Sequence, residues 1–158
     1  MKELLVSNGS KVEKYTFLIT QIESVLDYSV DIIANMANIA AMLHFTFGFW
    51  WTGFYRVFGD ELVLGPYQGP LACTKIKKGR GVCGSSWEQK STILVPDVEK
   101  FPGHIACSSS SRSEIVVPLF KESEVIAVLD IDSDKLATFD EVDKEFLEKI
   151  VNLLVVTK

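Results

Sequence analysis

Histidine and cysteine are scarce in this chain of 158 residues, which holds two of the first and three of the second, none of them in a Cys-x-x-Cys pair. A structural zinc site is therefore not expected, all the more because His44 falls within a helical pattern. Runs of basic residues are also missing, and 16 Lys and Arg against 21 Asp and Glu leave a net charge of −5. A nucleic acid partner would find no electrostatic footprint. The first ten residues lack the apolar stretch and small-residue cleavage site of a secretory signal, and the cysteine count is odd. Both point to a reducing cytoplasm. No internal repeat is present, and no low-complexity tract beyond Ser108 to Ser111. With 47% hydrophobic and 23% charged residues, the composition is that of one compact domain spanning 1–158 with a sizeable core.

Charge is absent between Asp31 and Arg56, a span long enough to cross a bilayer. Asn35, Asn38, His44 and Gly48 interrupt it, and Ile32, Met36, Ile39, Leu43 and Phe47 recur at steps of three and four. A one-faced helix to about Thr46 and a strand after Gly48 explain the run better. Val12, Tyr15, Ile19, Ile22 and Leu26 keep the same step, so a helical pair is expected over about 11–46. Beyond it, over 49–158, a hairpin turning at Gly59-Asp60 is followed by a long irregular passage holding all three cysteines, broken by a short helix from Gly81 and a strand Ser91 to Val95. Two strands, Glu114 to Phe120 and Val125 to Ser133, should pair antiparallel. Thr138-Phe-Asp-Glu141 has the spacing of a capping box and opens a last helix with Phe139, Val142, Phe146, Ile150 and Leu153 on one face. The order describes an α+β fold with a central antiparallel sheet.

Gly79-Arg-Gly-Val-Cys-Gly84 fits a dinucleotide-binding pattern, yet the preceding Thr74-Lys-Ile-Lys-Lys78 is too polar for the required strand, and no second β-α-β unit follows. A tight turn feeding a short helix is the better reading. That helix start could hold a small carboxylate or lower the pKa of Cys83. Glycines flank Cys83 and a Pro-Gly turn precedes Cys107, loop settings that suit accessible thiols and a thiol-redox enzyme. His104 with Cys107 has no third orienting group and reads as a solvated loop histidine.

Alternation from Val125 to Ser133 puts Ile126, Val128, Asp130 and Asp132 on one face. In an even hairpin Glu114 would lie opposite Ile131, away from both aspartates. A one-residue irregularity near Pro118 or in the turn Lys121 to Glu124 would bring the three acids together. Trp51 and Tyr55 share a strand face, and with the neighbouring aromatics they are core material that could also wall a methyl or thioether group.

Several segments together resemble the free methionine-R-sulfoxide reductases, which are built on the GAF fold: Trp51-Thr-Gly-Phe-Tyr-Arg56, Gly65-Pro-Tyr-Gln-Gly69 with Ala72-Cys73, Gly79 to Gly84, Val95-Pro-Asp97, Phe101 to Cys107, Ser113 to Pro118 and Leu129-Asp-Ile-Asp-Ser133. The resemblance implies that Cys107 is the nucleophile, Cys73 the main resolving cysteine and Cys83 an alternative partner. It implies thioredoxin as external reductant, no bound cofactor or metal, and a homodimer. Glu114, Asp130 and Asp132 match acids that bind the substrate ammonium and help protonate the sulfoxide oxygen. Glu114 or Asp132 is favoured for the proton and Asp130 for the ammonium, while Trp51 and Tyr55 match the wall around the substrate methyl. The rival is a GAF module that binds a small ligand or senses redox state without catalysis.

Overall fold

The computed structural model describes residues 3–105, 107 and 109–155. Ala106 and Ser108, part of the segment around Cys107, and both ends of the 1–158 span lie outside the described residues. Helix α1 (Lys11–Val25) starts at Ser10, whose hydroxyl accepts from the Glu13 amide. Helix α2 (Ile32–Phe47) starts at Asp31 and stops at Gly48, whose left-handed φ of 67° lets its amide donate back to the His44 carbonyl. The apolar stripes meet as expected, with Tyr15, Ile22, Met36, Ile39 and Leu43 buried. Val12 departs from that face and is 46% exposed. Among the described residues no helix is long and apolar enough to cross a membrane.

The sheet follows from β1 (Trp51–Phe58), β2 (Glu61–Gln68), β3 (Lys75–Lys77), β4 (Ile93–Val95), β5 (Ser113–Lys121) and β6 (Glu124–Ser133). Its order is β3-β2-β1-β6-β5-β4, antiparallel throughout. The edge strand β3 is too short and polar to be legible in the sequence. Strand β2 runs on through Pro66 because a register shift opposite Gly53 and Tyr55 absorbs the proline at a bulge. Helix α3 (Gly81–Gln89) lies between β3 and β4, and a short 3₁₀ turn, Val98–Lys100, precedes the Cys107 segment.

The two sheet faces have different neighbours. One packs Phe54, Ile115, Val117, Leu119, Ala127, Leu129 and Ile131 against α1, α2 and α4 (Glu141–Asn152). The other presents Trp51, Tyr55, Val116 and Val128 to Cys83 and Trp87 of α3. The β5–β6 hairpin carries the irregularity that the acids require: Lys121 pairs with Glu124 and Phe120 with Val125, but Leu119 pairs with Ala127. Ile126 is the extra residue, and it packs toward the helical core instead of sharing the face of Val128. Beyond this bulge Glu114 stands opposite Asp132.

The last helix also differs in detail from the sequence expectation. Its capping box is Asp140 with Asp143, two residues on from Thr138. Thr138 is occupied in the turn after β6, where its hydroxyl donates to Ser133 Oγ at 2.7 Å, while the Asp140 carboxylate accepts from the Val142 and Asp143 amides. Asp143, 1% exposed, also accepts from Tyr15 Oη at 2.7 Å and from Lys11 Nζ at 2.7 Å, which ties α1 to α4. The Lys11 ammonium is held above its usual pKa by the two aspartates, against the opposing effect of burial. Asp143→Ala should lower stability by about 3 kcal/mol, because it strands a buried phenol and removes half of a cap. Urea denaturation with an unchanged m-value checks this, and a loss below about 1 kcal/mol would contradict it.

Candidate active site

The site is a small lattice of cross-strand neighbours on the α3 side of the sheet. Trp51 of β1 pairs with Asp132 of β6, which pairs with Glu114 of β5. One step along, Gly53 pairs with Asp130, and Asp130 with Val116. Tyr55 pairs with Val128 in the next row. Because side chains alternate faces, the three carboxyls and both aromatic rings emerge on the same side.

Gly53 makes the aromatic wall compact. A Cβ built there would stand 2.6 Å from Trp51 Cη2, so the indole lies across the glycine toward Tyr55, with ring centroids 5.9 Å apart. Tyr67 also stacks on Trp51, with ring centroids 5.2 Å apart. Both rings hold the loop that leads to Cys73: Trp51 Nε1 donates to the Pro70 carbonyl at 3.0 Å, and Tyr55 Oη donates to the Cys73 carbonyl at 2.9 Å. Burial, followed by the nearby Asp130, Cys83, Asp132 and Glu114, keeps the Tyr55 phenol protonated far above its ordinary range.

Cys73 is disulfide-bonded to Cys107, with Cα atoms 5.5 Å apart across 34 residues of sequence. Cys83 is the free cysteine, and it does not occupy the accessible loop position expected of it. It sits within α3 at 3% exposure, close to the acids. The expectation that the helix start lowers its pKa is overturned: burial first, then Asp130, Glu114 and Asp132, push the thiol well up. The glycines around it serve packing, since a Cβ on Gly84 would collide with the Lys77 carbonyl.

Glu114, Asp130 and Asp132 are all pushed well above the ordinary carboxyl range. Burial is the main cause in each, followed by a neighbouring carboxylate: Asp132 for Glu114, Glu114 for Asp130, and Asp130 for Asp132. Glu114 and Asp130 also hydrogen-bond each other, and Asp130 reaches the Cys83 thiol. Asp130 Oδ1 is buried without a hydrogen-bond partner. Asp132 Oδ1 accepts from Ser111 Oγ at 2.6 Å. Ser111 belongs to the serine run whose sequence carried no distinct meaning.

These groups surround a pocket of about 540 Å³, its open mouth included, lined by Trp51, Tyr55, Cys83, Cys107, Glu114, Asp130 and Asp132, with Cys73 joined to it through Cys107. His104 lines it too, so the reading of a solvated loop histidine is corrected. Its Nε2 lies 3.6 Å from Glu114 Oε2, its side chain is 16% exposed, and burial lowers its pKa. No Lys or Arg lines the pocket among the described residues. His44 lies in α2 with Nδ1 3.4 Å from Thr52 Oγ1, and it takes no part.

With the geometry in place, comparison with known proteins is informative. The GAF domain profile matches residues 20–157. GAF domain-containing protein A of Dictyostelium discoideum is 57% identical over 97% of this chain and 98% of its own length. The free methionine-R-sulfoxide reductase of Saccharomyces cerevisiae is 40% identical, covering 94% of this chain and 87% of the relative. The X-ray structure of the free methionine-R-sulfoxide reductase of Neisseria meningitidis in complex with its substrate superposes with a TM-score of 0.95 at 52% identity, over 98% of this chain and 93% of that one.

Thiol chemistry gives a direct check of this geometry. After reduction of the disulfide, Cys83 should be alkylated by iodoacetamide at least about tenfold more slowly than Cys73 or Cys107 in the native protein, because it is buried and its thiolate disfavoured. Peptide mass spectrometry should show the difference vanish in urea, whereas equal native rates would contradict the placement of Cys83.

Proposed function

The chain belongs to the GAF-domain family of free methionine-R-sulfoxide reductases, and from that membership we propose that it reduces free L-methionine-(R)-sulfoxide to methionine through Cys107. The observation that carries the reading is the meeting of the Cys107 half of a disulfide with three buried acids, each pushed above the ordinary carboxyl range, and an aromatic wall in one pocket. The choice of the R epimer follows from the family.

The chemistry runs in two balanced steps. The Cys107 thiolate attacks the sulfoxide sulfur while a carboxylic acid protonates the oxygen, giving the thioether and a Cys107 sulfenic acid. Protonation is needed because an unprotonated sulfoxide oxygen is a poor acceptor of electron density, and a buried acid cluster retains a proton for the task near neutrality. Glu114 or Asp132 supplies it. The Cys73 thiol then attacks the sulfenic sulfur, its proton leaves with the sulfenic hydroxyl as water, and the Cys73–Cys107 bond forms. Two electrons have passed from two thiols to the sulfoxide. A dithiol of the thioredoxin class returns the disulfide to the reduced state, with Cys83 as an alternative resolving thiol.

Substrate recognition follows from the charge of the pocket. Asp130 Oδ1, unpartnered and buried, suits one proton of the substrate ammonium. In peptide-bound methionine sulfoxide that ammonium is an amide, so the acids lose their partner and the free amino acid is preferred. Trp51 and Tyr55 flank the S-methyl group. No bound cofactor, a homodimer and a cytoplasmic setting belong to the same proposal.

NADPH consumption with thioredoxin and thioredoxin reductase tests it. We expect turnover of free methionine-R-sulfoxide and little with the S epimer or a blocked R form, and none in Cys107→Ser. Glu114→Gln should lower kcat by about 10²-fold or more, as loss of a proton donor does, and Asp130→Asn should act mainly on KM. Absence of turnover from folded protein with free thiols would favour a non-catalytic ligand-binding or redox-sensing GAF module instead.

A further inference from the structure

We propose that Cys83, Glu114 and Asp130 form a site for a thiophilic divalent cation of the zinc class, placed where it would compete with a substrate for the acidic end of the pocket. One ligand atom from each residue lies within 4.8 Å of the other two, and all three side chains are buried. Tetrahedral zinc with bonds of about 2.0–2.3 Å needs ligand atoms about 3.3–3.8 Å apart, so the group must contract by about 1 Å. His104 Nε2, 3.6 Å from Glu114 Oε2, borders the group without belonging to it, so the fourth position is left to solvent.

A second feature suits a cation. Asp130 is 7% exposed, yet its Oδ1 has no hydrogen-bond donor. A buried oxygen left in this way costs about 1–3 kcal/mol, and a positively charged occupant removes the deficit. Ammonium is one such occupant and a metal ion another. The donor set selects among metals: a thiolate beside two carboxylates favours Zn²⁺ over Mg²⁺ or Ca²⁺, which take oxygen ligands.

The sequence carries no metal signature because the ligands come from three separate elements, α3, β5 and β6, so no short spacing links them. Binding would release the Cys83 thiol proton and any carboxyl proton to solvent while the cation takes the three anionic donors. No electron is transferred. Zinc would occupy the proposed ammonium-binding Asp130 and the acid Glu114 together, which makes it an inhibitor of the proposed reaction.

The binding claim does not depend on the reductase reading. It is tested on the full chain in its disulfide form, where Cys73 and Cys107 are unavailable and no turnover takes place. Titration with Co²⁺ alone should give one equivalent bound with a thiolate-to-cobalt charge-transfer band, and Zn²⁺ should displace it. Cys83→Ser should abolish the band, and Asp130→Asn should weaken Zn²⁺ binding by about tenfold or more in calorimetry, with folding of both variants verified by circular dichroism. Absence of the band in the unsubstituted protein, its survival in Cys83→Ser, or equal Zn²⁺ affinity in folded Asp130→Asn would overturn the site.

Discussion

Three carboxyl groups facing one another in a buried pocket are the constraint from which the rest of the structure follows. Two neighbouring buried carboxylates repel strongly at low effective dielectric, and each also loses its hydration. The fold offers no lysine or arginine in the pocket to offset this among the described residues. The acids are therefore pushed toward their protonated forms, and a proton held by one group can be shared with the next, as between Glu114 and Asp130. Ser111 relieves Asp132 in a different way, by donating a hydrogen bond to it. The result is a pocket that lacks positive charge, and that vacancy sets its preference for an incoming cation.

The bulge at Ile126 is what makes the arrangement geometrically available. Without it, Glu114 would oppose Ile131 and point into the helical core, where a carboxyl has no partner. With it, Ile126 joins the helical side and Glu114 crosses to the face of Asp132. One inserted residue thus exchanges an apolar for an acidic group at the site. Gly53 plays the complementary part on β1, because the space it leaves opposite Asp130 is where the Trp51 indole lies.

The legible parts of the sequence were those in which local rules and burial agree. The stripes of α1 and α2, the hairpin at Gly59-Asp60 and the alternation of β6 all read directly. The need for an irregularity in the β5–β6 hairpin was legible too, from the wish to bring Glu114 to the aspartates, although its position one residue past Pro118 was not. Thr138 was misread as a helix cap because its competing bond to Ser133 depends on a turn that no local pattern specifies. Cys83 and His104 were misplaced for a related reason: exposure is a tertiary property. A glycine-rich segment can be a mobile loop or, as here, a close approach of backbone that buries what it carries.

The two faces of the sheet divide stability and chemistry between them. The helical side is largely apolar, and the deeply buried acid there, Asp143, is satisfied by Tyr15, Lys11 and the Asp140 amide. The pocket face holds acids whose neighbours are other acids and an oxygen with no donor. Burying those acids opposes folding, and β5 and β6 are each anchored from behind by Ile115, Val117, Leu129 and Ile131. The same strands thereby serve both purposes: between the bulge and the pocket, Ile115, Val117, Leu129 and Ile131 hold the sheet to the helices, while Glu114, Asp130 and Asp132 on the opposite face supply the acids of the pocket.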